Sequence, residues 1–185
     1  MTHRVCPWWL GYWLICPVRS WWQRPQEILA PYVHPGMTVL EPGPGMGYFT
    51  LELARLVKDS GRVVAVDVQP QMIERLKRRA AQADVARRLD ARIAPADCMG
   101  LGDLRGAVDF TLAFAVVHEF PDAGRFFAEA AAASKPDASL LLAEPSGHVK
   151  AATFDSELQI AAQAGFTLID RPAIRRSHAA LPKKG

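Results

Sequence analysis

TVLEPGPGMGYFT, residues 38–50, is the stretch of this sequence that decides the fold. A short apolar run ends at Glu41, and glycines follow at Gly43, Gly45 and Gly47 before a helical pattern begins. A strand that enters a glycine turn and then a helix brings bare backbone and free N–H groups close to a bound ligand. The acid two residues before the first glycine predicts that this ligand carries a positive group.

The rest of the chain alternates apolar runs with helical patterns. The predicted strands are residues 38–41, 63–68, 92–94, 108–117 and 139–143, with closing strands at 166–169 and 177–181. Buried strands that alternate with helices are typical of a parallel sheet covered on both faces. We therefore predict an α/β, Rossmann-like doubly wound fold whose mostly parallel sheet has about seven strands.

Polar residues follow the predicted strands, at the sheet edge where such folds bind ligands. Asp67 ends the second strand and is suited to accept both hydroxyls of a ribose. After the third strand, Asp97 is suited to an exocyclic amine and the backbone N–H of Cys98 to a ring nitrogen. Val68 is placed to pack on a flat base, and Glu41 faces the far end of the ligand. This set predicts a nucleoside with a cationic tail, and S-adenosylmethionine, with its amino group and sulfonium, fits.

Four segments also match a known pattern. They are LEPGPGMG at 40–47, VAVD at 64–67, AD at 96–97 and FAVVHEFPD at 114–122. On these segments the chain resembles a class I S-adenosylmethionine-dependent methyltransferase, of the small branch that includes ubiquinone/menaquinone-biosynthesis-type methyltransferases. The stretch 134–142 resembles the family's turn into the fifth strand, although Asp137 and Ala138 replace the usual glycine pair.

The resemblance implies roles for individual residues. Glu41 and the glycine loop would hold the methionine part of the cofactor, and Asp67 the ribose. Asp97 would hold the adenine amine, and Phe114 would help to wall the methionine tail.

Candidate catalytic residues follow the fourth and fifth predicted strands. Methyl transfer needs alignment and exclusion of water, and it needs a general base only when the acceptor carries a proton. His118 is the best candidate base, since its position faces the methyl group in this fold and its pKa lies near neutral pH. Glu119 is placed to orient it, and His148 lies on the same rim. The alternatives are a positioning or loop-closing role for His118, a surface position for Glu119 and a loop or cap role for His148.

We predict a methyltransferase that acts on a small, hydrophobic or aromatic acceptor. One alternative is a non-catalytic S-adenosylmethionine-binding or scaffold protein. A second is a nicotinamide-dependent oxidoreductase, whose G-x-G-x-x-G loop differs from Gly43-x-Gly45-x-Gly47 here. Glu41 would also crowd a pyrophosphate. The His and Glu residues near the rim match no compact ligand motif, so we predict no metal.

The composition indicates an ordinary globular enzyme. The net charge of +3 is too small to imply nucleic acid, and we expect the basic clusters 75–79 and 87–88 to be solvated faces. The three cysteines are widely spaced and odd in number, which favours a reducing cytoplasm over a disulfide framework.

All five tryptophans lie in the first 22 residues. We therefore predict an aromatic cap at residues 1–24 and a methyltransferase domain at 25–185. The cap is interpreted as a lid, as a wall for a hydrophobic substrate, or as a membrane-surface anchor through residues 5–22. Because the chain is short for this fold, we expect the acceptor pocket to come from the cap, the rim loops or a partner subunit, as in a homodimer.

Overall fold

The computed structural model describes residues 23–185. Residues 1–22 lie outside that part of the chain, so the predicted cap and its three interpretations are not addressed by the structure. The described residues fall into two compact units, an N-terminal unit that ends at Ala94 and a C-terminal unit, Pro95–Gly185.

The secondary structure of the described residues alternates strands and helices. The strands are β1 (Thr38–Pro42), β2 (Arg62–Asp67), β3 (Leu89–Ile93), β4 (Val108–Phe114), β5 (Ser134–Pro145), β6 (Phe166–Asp170) and β7 (Ser177–Lys184). The helices are α1 (Pro25–Leu29), α2 (Thr50–Leu56), α3 (Pro70–Gln82), α4 (Ala123–Ala133) and α5 (Ala151–Gln163). Short 3-10 turns cover Ala86–Arg88, Gly102–Leu104 and Val117–Glu119.

In the N-terminal unit, β1, β2 and β3 are parallel. Leu40 of β1 pairs with Val64 of β2, and Val64 pairs with Asp90 of β3. The interior of β2 is wholly buried, and α3 packs Ile73 and Leu76 onto it. Since the three strands are parallel, their carboxyl ends, with the glycine turn after β1 and Asp67 at the end of β2, lie at one edge.

In the C-terminal unit, β4 and β5 are parallel, while β7 runs antiparallel to β5 and β6 antiparallel to β7. Helices α4 and α5 contact each other. Four phenylalanines are fully buried and supply much of the core: Phe110, Phe126, Phe127 and Phe154. The last two strands form the antiparallel hairpin that ends the sheet.

The strand order across the sheet is β3-β2-β1-β4-β5-β7-β6. This seven-stranded, mostly parallel α/β architecture confirms the predicted Rossmann-like fold class. Four strand boundaries differ from prediction by three residues or more: β3 begins at Leu89, β4 ends at Phe114, β5 begins at Ser134 and β7 ends at Lys184.

The early end of β4 has a local cause. Ala115 adopts a left-handed conformation with a φ of 55°, and a β-strand cannot continue through a residue in that conformation. The backbone then enters the 3-10 turn Val117–Glu119. The turn therefore carries His118 on a sharply bent segment, and not on an extension of the strand as the apolar run 108–117 had suggested.

Among residues 23–185, no helix combines the length and the hydropathy that crossing a membrane requires. The cytoplasmic location stays a prediction.

Candidate functional site

The glycine loop of the N-terminal unit adopts backbone conformations that favour glycine. Gly43, Gly45 and Gly47 have φ values of 64°, 54° and 85°. A Cβ on Gly47 would lie 2.5 Å from Cδ1 of Leu76, whereas a Cβ on Gly45 would meet nothing within 4 Å. One side of the loop therefore packs against α3, and the Gly45 side is open.

Glu41 lies in β1 and is 3% exposed. Its Oε2 has no hydrogen-bond partner among the described residues. Burial raises the pKa of Glu41 to about 8, with the charge of Asp67 acting in the same direction and the Thr50 hydroxyl opposing it. A buried acid with an unused oxygen is costly unless a ligand supplies its partner.

Asp67, the last residue of β2, is 9% exposed. Its Oδ1 accepts a hydrogen bond from the backbone N–H of Gln69 at 2.9 Å. Burial raises its pKa, while the N–H groups of Gln69, Gly45 and Val68 oppose the rise. The structure thus brings together Glu41, the Gly45 side of the loop and Asp67.

Arg79 of α3 is a loop contact that the sequence analysis missed. Its guanidinium donates a hydrogen bond to the carbonyl oxygen of Met46, inside the glycine loop. Partial burial lowers its pKa. The basic cluster 75–79 predicts a solvated position for Arg79. Its position three residues after the buried Leu76 instead indicates that it lies toward the inner face of the helix.

Asp97 and Cys98 begin the C-terminal unit. The Asp97 side chain is 69% exposed and accepts a hydrogen bond from Nη1 of Arg125 at 2.9 Å. The backbone N–H of Cys98 makes a long contact of 3.4 Å with the carbonyl oxygen of Pro95. A cleft of about 290 Å³ lies beside Cys98, with Leu101 and Glu129 also in its lining. The adenine-binding roles of Asp97 and Cys98 stay predictions.

Phe114 ends β4 and is 9% exposed, and His118 follows in the 3-10 turn. Nδ1 of His118 lies 2.5 Å from Oε2 of Glu144, which is fully buried in β5. The other Glu144 oxygen accepts a hydrogen bond from the Val117 N–H at 2.9 Å. Burial lowers the pKa of His118, but the hydrogen bond and charge of Glu144 outweigh it, so the pKa is raised.

The other two predicted catalytic residues lie near His118. The His148 ring is exposed and stands edge-on to the His118 ring, with 5.0 Å between centroids. Glu119 is half-buried and adds negative charge near His118, but the acid bonded to Nδ1 is Glu144. The orienting role of Glu119 stays a prediction. Within residues 23–185, no group of three or more His, Cys, Asp or Glu residues is arranged to hold a metal ion.

A family model decides what kind of protein this is. Residues 39–137, more than half of the chain, match the model of a methyltransferase domain. The chain belongs to the methyltransferase domain family. No curated protein sequence matches this methyltransferase.

Solved structures share its fold. A SAM-dependent methyltransferase from Aquifex aeolicus has a TM-score of 0.86 at 20% identity, over 98% of this chain and 100% of that chain. The [4+2]-cyclase SpnF has a TM-score of 0.69 at 21% identity, over 82% of this chain and 60% of that one. TrmN from Thermus thermophilus has a TM-score of 0.67 at 20% identity, over 87% of this chain and 48% of that one. Likeness at these identities establishes the fold.

Family membership confirms the predicted enzyme class, a methyltransferase with S-adenosylmethionine as its cofactor. The acceptor and the residue roles stay predictions.

Proposed function

We propose that this methyltransferase moves a methyl group to a small hydrophobic or aromatic acceptor, and that Glu41 receives the amino group of the bound cofactor. The observation that carries the proposal is the buried Glu41 carboxyl, whose Oε2 has no partner among the described residues. Burial holds its pKa at about 8, so an ammonium group at this place would restore the carboxylate and supply the missing partner.

The surroundings of Glu41 support S-adenosylmethionine at this place. The cofactor supplies a methyl group carried on a positively charged sulfur. The open Gly45 side of the loop lets a ligand approach the backbone closely. Asp67 is a second buried acid near the loop, suited to the ribose hydroxyls. Two buried acids make a poor site for a pyrophosphate, which argues against a nicotinamide dinucleotide.

Roles in the C-terminal unit rest on the family resemblance. Asp97 and Cys98 are assigned to the adenine and Phe114 to the methionine tail. The ion pair between Asp97 and Arg125 is exposed, so it is worth about 0–1 kcal/mol and does not prevent Asp97 from accepting from a ligand. His118 is assigned as the general base, with His148 beside it at the rim.

The character of the acceptor is proposed from two sequence features. The resemblance to ubiquinone/menaquinone-biosynthesis-type methyltransferases and the tryptophan-rich residues 1–22 both favour a flat, apolar molecule. A homodimer that completes the acceptor pocket, peripheral membrane contact through residues 5–22 and a cytoplasmic location belong to the same proposal.

A non-catalytic role is the second candidate. SpnF is a [4+2]-cyclase with this fold, so the architecture alone does not require methyl transfer. A protein that binds S-adenosylmethionine for another purpose would keep the Glu41 and Asp67 site and would not need a base at His118.

Titration calorimetry with S-adenosylmethionine, S-adenosylhomocysteine and NAD tests the proposal. We expect the first two to bind with micromolar affinity and NAD not to bind. At pH 7, binding should release protons, because Glu41 is protonated in the free protein and ionised beside the ammonium group. Enthalpies measured in buffers of different ionisation heat report this release. Failure of both sulfur ligands to bind, or binding of NAD in their place, contradicts the proposal.

Release of S-adenosylhomocysteine then separates catalysis from mere binding. We expect release in the presence of phenolic and quinol acceptors. Tight cofactor binding with no turnover on any acceptor class would favour the non-catalytic alternative.

A further inference from the structure

The interior of the C-terminal unit holds three titratable side chains from three different elements. Glu144 of β5 is fully buried, and Glu157 of α5 is 5% exposed. The His118 side chain, on the 3-10 turn after β4, is 16% exposed. None of the three has a cofactor-binding role in the proposed function. Burying two acids costs free energy unless hydrogen bonds or a positive charge offset it, and His118 can supply both.

The hydrogen bonds of Glu144 fix the chemical state of His118. Glu144 accepts from the Val117 N–H with one oxygen and contacts Nδ1 of His118 with the other. A carboxylate can only accept, so the hydrogen between them lies on Nδ1. In the neutral ring, Nε2 is then the nitrogen with the free electron pair.

Glu157 adds a second acid to this arrangement. Its Oε2 has no hydrogen-bond partner among the described residues. Burial raises its pKa to about 7, with the charge of Glu144 adding to the rise and His118 opposing it. The ionisation of Glu157 therefore depends on the charges of Glu144 and His118, and a positive charge on His118 favours the ionised form of Glu157.

Three other titratable side chains lie near His118 or opposite Glu144. Glu119, on the same turn, adds negative charge. The His148 ring stands edge-on to His118 from the segment after β5. On β7, His178 lies opposite Glu144 in the strand register, and its ring lies against Phe154.

We propose that Glu144 and Glu157 are positioning residues for His118: Glu144 holds it as the Nδ1–H tautomer, and Glu157 adds negative charge near it. Nε2 then takes the proton of an aromatic hydroxyl acceptor. The proposal rests on the proposed function, since it assumes that this enzyme methylates such an acceptor. The hydroxyl proton passes to Nε2, Nδ1–H stays bonded to Glu144, and the imidazolium charge is balanced by the two acids. The partly exposed ring then returns the proton to solvent.

Nitrogen-15 NMR of the full chain tests the positioning roles without any turnover. We expect the Nδ1–H tautomer for the neutral His118 ring. Glu144→Gln should lower the His118 pKa by about one unit or more, because a neutral amide replaces the opposite charge. Glu157→Gln should lower it by less. Asp155→Asn, a charge change at a 57% exposed position on the same helix, should leave it unchanged.

An Nε2–H tautomer in the wild type, or a His118 pKa that neither Gln variant lowers, overturns the positioning roles. If Glu144→Gln fails to fold, the wild-type tautomer and the Glu157→Gln shift still decide. Phenol and its methyl ether, anisole, probe the acceptor class. We expect phenol to perturb the Nε2 resonance of His118 and anisole not to do so. No response to phenol, or an equal response to anisole, overturns the proposal that Nε2 takes the proton of an aromatic hydroxyl.

Calorimetry on the same samples keeps the two proposals apart. Loss of S-adenosylmethionine binding in the wild type would remove the proposed function and leave the tautomer result standing. Normal binding with the wrong tautomer would remove only the positioning roles.

Discussion

Two buried glutamates, one in each unit, use their carboxyl groups in opposite ways. Glu144 accepts from the Val117 N–H with one oxygen and contacts His118 with the other. Glu41 is also buried, but its Oε2 has no partner within the described part of the chain, and burial raises its pKa to about 8. The two carboxyls differ in whether the protein itself supplies the partners.

The difference separates an acid whose partners the protein itself supplies from one that is kept for a ligand. Moving a carboxylate out of water is costly, and hydrogen bonds or opposite charge must offset that cost. Around Glu144 the protein supplies the offset. Around Glu41 it does not, and the glycine loop beside it has an open side. We infer that the cofactor supplies the missing partner at Glu41.

Replacing Glu144 and Glu41 separately by leucine should give the largest difference in the free energy of unfolding. Glu144→Leu leaves the Val117 N–H and the His118 ring unpaired, so we expect a loss of about 3–5 kcal/mol in the free energy of unfolding. Glu41→Leu removes a buried acid that has no partner among the described residues, so it should not lower the free energy of unfolding. Urea unfolding at pH 7 measures both, and equal losses would break the comparison.

Glu41 should matter for cofactor binding even though it contributes little to stability. Glu41→Gln should weaken S-adenosylmethionine binding by about 1.5–3 kcal/mol, because a charged hydrogen bond is lost. Glu74→Gln, the same change at a 69% exposed position on α3, is the matched control and should bind normally. Calorimetry measures both affinities. Unchanged affinity in Glu41→Gln would remove this residue from the site.

Two glycines of the loop beside Glu41 should differ when each is changed to alanine. Gly47→Ala combines a left-handed conformation, worth about 1–2 kcal/mol, with a clash against Leu76. Gly45→Ala carries the same backbone strain but meets no neighbour, so it should lose less stability. Gly45→Ala should still weaken cofactor binding, because the added methyl group would occupy the open side of the loop, where the cofactor is proposed to approach. Thermal unfolding and calorimetry measure the two effects, and identical stability losses would contradict the packing.

The stability of the protein should also depend on pH. The pKa of Glu41 is raised from 4.5 to about 8, so its protonated form favours folding. That contribution is complete below pH 4.5 and is lost as the pH rises to about 8. The pKa of Glu157, raised to about 7, acts in the same direction. We expect Tm to fall over this range and Glu41→Gln to flatten the curve. Parallel curves for the variant and the wild type would show that Glu41 is ionised when free.

Local sequence was enough for the glycine loop and the acids beside it. A strand, an acid and glycines at alternate positions are neighbours along the chain, so their spacing predicts their geometry. The position of Asp67 at the end of β2 followed equally directly from the apolar run before it.

The histidine cluster required information that local spacing does not hold. His118 and Glu144 are 26 residues apart and meet because β4 and β5 are parallel with Phe114 opposite Ala143. The left-handed Ala115, which ends β4 early, carries no sequence signal, since alanine gives no preference for that conformation. Sequence proximity therefore favoured Glu119 as the partner of His118, and the sheet register placed Glu144 there.

The protonated carboxyl of Glu41 has a practical consequence for following the enzyme. A neutral acid absorbs in the infrared at a frequency separate from that of carboxylates, and this group is shielded from solvent exchange by its burial. Its band should vanish when a cation docks against it. The molecule thus contains an intrinsic vibrational reporter of cofactor arrival that needs no dye, no label and no knowledge of the methyl acceptor.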